Sequence, residues 1–142
     1  MRIIDAHPHI YSDNLSDYPS IDDPWNPGEP SSAEDLFSLM KINNVEKAVF
    51  IQTSTYYGFD NRYIMDSSKK FSEWATGVIT LNPDDENSTN ILENAVLNFN
   101  VKGLRGIPNK RGKLRDQNVL NLWSKAEKLG ITVNCMIMDK LE

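Results

Sequence analysis

The sequence predicts an α/β protein built on a parallel sheet, and three observations lead to this class. Strand-like and helix-like segments alternate with a repeat of about 30 residues, which is the size of a βαβ unit. The second strand-like segment, Ala48-Val49-Phe50-Ile51, is continuously apolar, as is typical of a parallel strand covered on both faces. Helix-start signals stand between the strand-like segments. The pattern therefore predicts five parallel strands joined by four helices.

The first predicted helix follows a pair of serines. Ser31 and Ser32 are its predicted caps, and Glu34 and Asp35 are their predicted capping-box partners three residues on. In chain order, the predicted helices cover residues 33–43, 61–71, 88–99 and 116–129.

The predicted strands cover residues 2–7, 47–52, 74–81, 101–107 and 131–138. Asp60 is the predicted cap of the second helix, and Gly130 is the predicted left-handed residue that ends the last helix. From its length, the whole chain, residues 1–142, is predicted to form a single domain.

The strand count leaves the closure of the sheet open. An open doubly wound sheet of the flavodoxin type accommodates five strands, and 142 residues is a normal length for it. A complete (β/α)8 barrel typically needs about 250 residues.

Both histidines of the chain follow the first apolar run. On a strand, Asp5, His7 and His9 share one face, so two imidazoles and a carboxylate are predicted to converge at the strand end. Such a set suits a divalent metal, Zn²⁺ above all and Mn²⁺ as the second choice, with Asp5 orienting a ring or the ion. The alternative is that the two histidines serve only packing or the surface.

A long loop, residues 10–32, leaves the same strand end. It is rich in proline, aspartate and serine and carries Tyr11, Tyr18 and Trp25. Loops of this length in compact domains are usually functional or disordered. We expect it to be a lid whose aromatic rings cover the site, and the alternative is a surface insert.

Arg105 interrupts the fourth predicted strand, between Leu104 and Gly106. An arginine buried without a partner is very costly. Arg105 is therefore predicted to face the mouth of the site and bind a substrate carboxylate with its planar fork. The rival interpretation is a structural salt bridge with an acidic neighbour.

Net charge, hydropathy and cysteine content argue against several binding partners and cellular locations. A net charge of -5 argues against nucleic acid and against an anionic membrane as partner. No apolar run approaches the length of a membrane span, and Met1 leads directly into the first strand, which leaves no room for a signal peptide. The one cysteine, Cys135, cannot form an internal disulfide, so a cytoplasmic location is expected.

Three segments carry a resemblance to a known family. Asp5-Ala6-His7-Pro8-His9 resembles the Asp-x-His-x-His opening of the amidohydrolase superfamily. The segments 52–62 and 102–107 are similar to the amidohydrolase 2 branch, which includes 2-pyrone-4,6-dicarboxylate lactonase-like hydrolases and decarboxylases.

The resemblance implies a TIM-like (β/α)8 barrel of parallel β/α units, truncated in this chain after about five strands. It implies that His7 and His9 are metal or substrate ligands and that Arg105 contacts a substrate carboxylate. The implied lining residues of the substrate pocket are Gln52, Tyr56 and Asn61.

Two departures from the family pattern bear on catalysis. The later histidine and the last-strand aspartate of the family are absent, and a cysteine, Cys135, stands near the end of strand five where the family often has histidine. As an acid or base, the chain offers only Asp5, Asp139 or Cys135.

The expected function is hydrolysis of an ester, lactone or amide bond in a small carboxylated compound, with water activated by a divalent metal or by a side chain. Metal-independent action is known in the resembled branch. The alternatives are a non-catalytic part-barrel that binds a metabolite or a partner chain, and a PHP-like phosphoesterase. Because a part-barrel leaves open sheet edges, self-association is also expected.

Overall fold

The computed structural model of the chain describes residues 2–25 and 31–135. These residues form one parallel sheet of five strands, with helices in the connections. The strands are β1 (Ile3–Asp5), β2 (Val45–Ile51), β3 (Ala75–Thr80), β4 (Val101–Gly106) and β5 (Thr132–Cys135). The helices are α1 (Ala33–Ile42), α2 (Ser54–Tyr57), α3 (Arg62–Lys70), α4 (Ser88–Asn98) and α5 (Gln117–Lys128).

The strand order decides between the two predicted closures. The order in the sheet is β1-β2-β3-β4-β5, so every strand pairs with its neighbours in sequence and the winding never reverses. A doubly wound sheet requires such a reversal, so that alternative was wrong. Because right-handed crossovers in sequential order place all helices on one side, the sheet curls into a half-barrel. The predicted truncated TIM-like fold is confirmed.

The main hydrophobic core lies between the sheet and the helices. Phe50, Ile79 and Leu104 are fully buried and belong to one cluster with Ile64 of α3 and Leu92 of α4. Of the apolar run in β2, Ala48 and Phe50 belong to this core, whereas Val49 and Ile51 do not.

Close helix packing on β3 depends on a glycine. A Cβ atom at Gly77 would lie 2.5 Å from the hydroxyl oxygen of Ser68 in α3, which is far inside van der Waals contact. Any other residue at Gly77 would push α3 away from the sheet.

The helix caps show which local signals were reliable. Ser32 and Asp35 form the predicted capping box at the start of α1. Gly130 has the predicted left-handed conformation after α5, with φ of 67°. Asp60, the predicted cap of the second helix, lies one residue before the N-cap position, which Asn61 occupies without a side-chain cap hydrogen bond, but Asp60 Oδ1 accepts a 3.0 Å hydrogen bond from the backbone N–H of Arg62, the first residue of α3. Asp60 also pairs with the side chain of Arg62.

The described structure departs from the predicted elements near the candidate site. β1 ends at Asp5 rather than at His7, because the Asp5 carboxylate folds back and accepts a hydrogen bond from the His7 backbone N–H. The short helix α2 lies where only a loop was predicted. Residues 136–138 of the predicted fifth strand lie outside the described residues.

Within the described ranges, no helix combines the length and the apolar character needed to cross a membrane.

The half-barrel leaves open edges at both ends of the sheet. Within the described residues, β1 pairs only with β2, and β5 pairs only with β4. A cleft of about 350 Å³ opens at the amino-terminal ends of the strands, where Ile4 is 59% exposed beside Val49, Lys47 and Lys102. Toward the carboxyl ends of β2 and β3, Ile51, Val78 and Thr80 are buried.

We predict that the chain self-associates through these edges, since exposed strand edges pair readily with other chains. Light scattering at micromolar concentration should give a mass above the 16.2 kDa of one chain. Ile4→Lys should reduce the mass, because it adds a third cation beside Lys47 and Lys102. The control Ile42→Lys, at a 76% exposed position on α1, should leave it unchanged. A monomeric wild-type chain would contradict the prediction.

Candidate functional site

The carboxyl ends of the strands bring the candidate residues to one edge of the sheet. His7 and His9 follow β1, Gln52 follows β2, Thr80 ends β3, and Arg105 is the penultimate residue of β4. Ligands of parallel α/β sheets generally bind at this edge, because the connecting loops there are free to vary.

The two histidine rings contact each other edge to face. Their centroids lie 5.1 Å apart with an interplanar angle of 84°. His9 Nδ1 lies 2.9 Å from the carbonyl oxygen of Ile51. Since a carbonyl only accepts, Nδ1 carries a hydrogen, and the tautomer with this hydrogen presents Nε2 as the metal-binding atom. A backbone carbonyl that orients an imidazole in this way is a common feature of metal-binding histidines.

His7 is more exposed than His9 and lies in a mixed electrostatic environment. Burial has the largest effect on its pKa, and together with the neighbouring His9 and Arg105 it lowers the pKa below the ordinary value against the opposing effect of Asp5. A neutral imidazole is the form that binds metal.

The strand geometry that predicted a shared face for Asp5, His7 and His9 does not extend to the histidines, because β1 ends at Asp5. Asp5 Oδ1 accepts a hydrogen bond of 3.1 Å from the His7 backbone N–H. The carboxylate therefore fixes the turn that presents His7. Its predicted catalytic role stays a prediction.

A complete metal site does not form within the described ranges. No group of three or more His, Cys, Asp or Glu side chains converges in residues 2–25 and 31–135. His7 and His9 supply two nitrogen donors, whereas catalytic zinc sites have three protein ligands. The donor set suits a borderline divalent ion but is incomplete. Asp139 lies outside the described residues, and Cys135 is exposed at the end of β5.

Arg105 crosses the inner face of the sheet. It starts on β4, where its register partner is Thr80 of β3, and its Nη1 donates a 3.2 Å hydrogen bond to the carbonyl of Gln52 at the end of β2. The side chain must therefore pass over Thr80, which explains how a polar residue at this position can be 0% exposed.

The guanidinium of Arg105 has unused binding capacity. Within the described residues no carboxylate forms an ion pair with it, and the Gln52 carbonyl is its one hydrogen-bond acceptor. Partial burial lowers its pKa, although a guanidinium remains charged at any physiological pH. Among the described residues, four of the five N–H donors of Arg105 thus have no acceptor and are available to a ligand.

Gln52 and Asn61 are both buried, with relative exposures of 0% and 5%. Gln52 Nε2 donates to the carbonyls of Gly58 and Asp60, at 2.9 and 3.2 Å. Asn61 Nδ2 donates to the carbonyls of Phe59 and Thr80, at 2.9 and 2.8 Å. Asn61 Oδ1 accepts from the backbone N–H of Thr80 at 3.0 Å. Their predicted substrate contacts stay a prediction.

The described part of the long loop, residues 10–25 and 31–32, is docked on α2. The backbone N–H groups of Ile21 and Trp25 donate to the carbonyls of Tyr56 and Thr55, at 2.9 and 3.1 Å. The Tyr11 ring meets the half-buried Tyr56 ring edge to face, with centroids 5.0 Å apart. The predicted lid residues 26–30 lie outside the described residues, and a lid function stays a prediction.

Tyr57 anchors this loop, and sequence reasoning missed it. Its hydroxyl oxygen accepts a 2.8 Å hydrogen bond from the backbone N–H of Ser12, and burial raises the pKa of the phenol. Tyr18 makes a more exposed contact, in which its hydroxyl donates to Asp66 and its pKa is raised to about 12, mainly by burial. The adjacent pair Tyr56-Tyr57 in an otherwise polar loop was the sequence signal that could have indicated an aromatic anchor.

Comparison with known proteins agrees with this geometry. Residues 4–138 match the sequence profile of a family described as amidohydrolase. The chain belongs to the amidohydrolase family. No curated protein matches the sequence.

Solved structures share the fold at low sequence identity. A protein of Acinetobacter baumannii, assigned as a 2-pyrone-4,6-dicarboxylic acid hydrolase and crystallised with citric acid, is 20% identical with a TM-score of 0.76 over 94% of this chain and 48% of its own. A Pseudomonas putida protein with the same assignment is 22% identical with a TM-score of 0.73, over 93% of this chain and 47% of its own.

A third structure is a decarboxylase. The 5-carboxyvanillate decarboxylase of Novosphingobium aromaticivorans, complexed with manganese and 4-hydroxy-3-methoxy-5-nitrobenzoic acid, is 14% identical with a TM-score of 0.69 over 93% of this chain and 49% of its own. The chain thus spans about half the length of each of these structures.

We predict that Tyr57→Phe lowers the free energy of unfolding by about 1–3 kcal/mol, because it leaves the buried Ser12 N–H without its acceptor. The matched control Tyr18→Phe removes a surface hydrogen bond and should cost about 1 kcal/mol or less. Urea unfolding of the two variants measures the difference. Equal losses of unfolding free energy in the two variants would show that the hydrogen bond between Tyr57 and Ser12 stabilises the fold no more than a surface hydrogen bond does.

Proposed function

We propose that this chain forms the carboxylate-binding half of an amidohydrolase-type active site, which acts on a small carboxylated compound. Hydrolysis of an ester, lactone or amide bond is the proposed reaction. The observation that carries the proposal is the half-buried guanidinium of Arg105, which has no acidic partner in the described residues and lies at the catalytic edge of the sheet.

A carboxylate is the natural ligand for such a group. Burying a cation is unfavourable unless it is paired, so the resting arrangement with a single carbonyl acceptor leaves Arg105 under-compensated. A carboxylate binds a guanidinium through two parallel charge-assisted hydrogen bonds. The citric acid bound by the Acinetobacter baumannii protein supports a carboxylated ligand.

We assign His7 and His9 as ligands of a divalent metal, Zn²⁺ or Mn²⁺. The fixed ring of His9, with Nε2 available, supports this role, as does the manganese in the Novosphingobium aromaticivorans decarboxylase. When bound, such an ion would supply a water molecule of lowered pKa. Asp5 would hold the turn that presents His7, and Tyr56 would line the mouth of the site.

A second candidate function is binding without turnover. The described residues offer two imidazoles but no third metal ligand beside them, and this incompleteness favours a part-barrel that binds a metabolite or a partner chain. The family match weighs against the PHP-like phosphoesterase as the third reading. Hydrolysis of a lactone dicarboxylate by the purified chain would support the catalytic function over binding without turnover.

We expect citrate to stabilise the chain and Arg105→Met to remove that effect. Methionine keeps most of the volume and deletes the charge, so citrate affinity should fall about 10- to 100-fold while stability changes little. Thermal melts of both proteins over a citrate titration give the measurement, because a ligand that binds the folded state raises Tm.

The control is Arg115→Met, which removes an exposed arginine and should leave the citrate response unchanged. A loss of about 3–5 kcal/mol of stability in Arg105→Met without citrate would instead indicate a structural ion pair. An unchanged citrate response in that variant would refute the proposed role of Arg105.

Metal binding has a separate test. The wild-type chain should bind Zn²⁺ or Mn²⁺ in titration calorimetry, with modest affinity because two imidazoles leave the ion short of protein ligands. His7→Ala combined with His9→Ala should abolish binding. Equal metal uptake by the double variant would eliminate the assignment.

A further inference from the structure

We propose that Gln52 and Asn61 are positioning residues, which hold the arginine and the mouth of the site in place rather than touch the substrate. We call their two side-chain amides the amide clasp, and residues 53–60, which lie between them, the mouth loop. The inference rests on the proposed function of Arg105 and extends it to the residues that fix this side chain.

The clasp closes the mouth loop on itself. Gln52 Nε2 holds the carbonyls of Gly58 and Asp60, near the far end of the loop. Asn61 Nδ2 holds the carbonyl of Phe59. Because both donor hydrogens of each amide group are committed to backbone, neither amide retains a donor for a ligand.

Gln52 contacts Arg105 itself, and Asn61 contacts the neighbour of Arg105 in the sheet. The backbone carbonyl of Gln52 is the acceptor of Arg105 Nη1. Asn61 binds both the N–H and the carbonyl of Thr80, the register partner of Arg105 on β3. Gln52 thus fixes the far end of the Arg105 side chain through its backbone carbonyl. Asn61 fixes β3, the strand over which this side chain passes.

The mouth loop in turn carries the docked long loop. The carbonyls of Thr55 and Tyr56 accept the backbone N–H groups of Trp25 and Ile21. Gly58 adopts φ of +60°, and a Cβ atom there would lie 3.0 Å from Ile21 Cγ2, so the two loops are packed tightly at this point. Release of the clasp should therefore loosen both loops together.

The test is Gln52→Met, which keeps the volume and deletes both donor bonds without adding charge. Amide hydrogen exchange followed by NMR should be about tenfold faster at Ile21 and Trp25, while the amides of β3 and β4 stay protected. Citrate affinity should fall about tenfold in the wild-type background. Gln117→Met, at an exposed position in α5, is the matched control and should change neither quantity.

A double-variant cycle separates positioning from contact. If the clasp acts through Arg105, adding Gln52→Met to Arg105→Met should weaken citrate binding no further. An equal loss of affinity in both backgrounds with unchanged exchange would show a direct ligand contact and overturn the proposal. Unchanged exchange and unchanged affinity would overturn it as well.

A milder variant covers the case in which Gln52→Met does not fold. Asn61→Ser removes the donor bonds to Phe59 and Thr80 without adding charge, so faster exchange at Ile21 and Trp25 is expected, and wild-type exchange there would contradict the clasp. If Arg105→Met itself leaves citrate binding intact, the proposed function fails, whereas the exchange measurement still decides whether the clasp exists.

Discussion

Sequential pairing of parallel strands is the constraint on which the rest of this structure depends. Since all four strand pairs are parallel, every carboxyl end reaches the same edge of the sheet, and the sequential order sets which ends lie side by side. His9, Gln52, Thr80 and Arg105 are far apart in sequence and become neighbours only for this reason. The long side chain of Arg105 then spans three strands, and its hydrogen bond to Gln52 closes the inner face at that edge.

The features that sequence predicted are those fixed by local physics. The apolar run of β2, the capping box at Ser32 and the left-handed Gly130 each depend on a few adjacent residues. The strand order was left open, because the same alternation of strands and helices serves both a doubly wound sheet and a barrel. The resemblance to amidohydrolases, rather than periodicity, favoured the barrel that the structure shows.

The candidate site residues were predicted for the same reason. His7, His9 and Arg105 were proposed because charged or metal-binding side chains are conspicuous beside apolar strands. The bonds of Asn61 to Thr80 and the anchor at Tyr57 depend on partners 19 and 45 residues away, which no local pattern reveals. Polar side chains with backbone partners and those free for a ligand look identical in a sequence, and only the hydrogen bonds distinguish them.

The sequential strand order also has a thermodynamic consequence. Each β/α unit contacts mainly the units before and after it, so the sheet resembles a short linear array whose cooperativity is carried by nearest-neighbour interfaces. In such an array a unit held by one interface is expected to open more readily than a unit held by two. Among the described residues, the histidine segment follows β1, which pairs with one strand, whereas Arg105 lies on β4, which pairs with two.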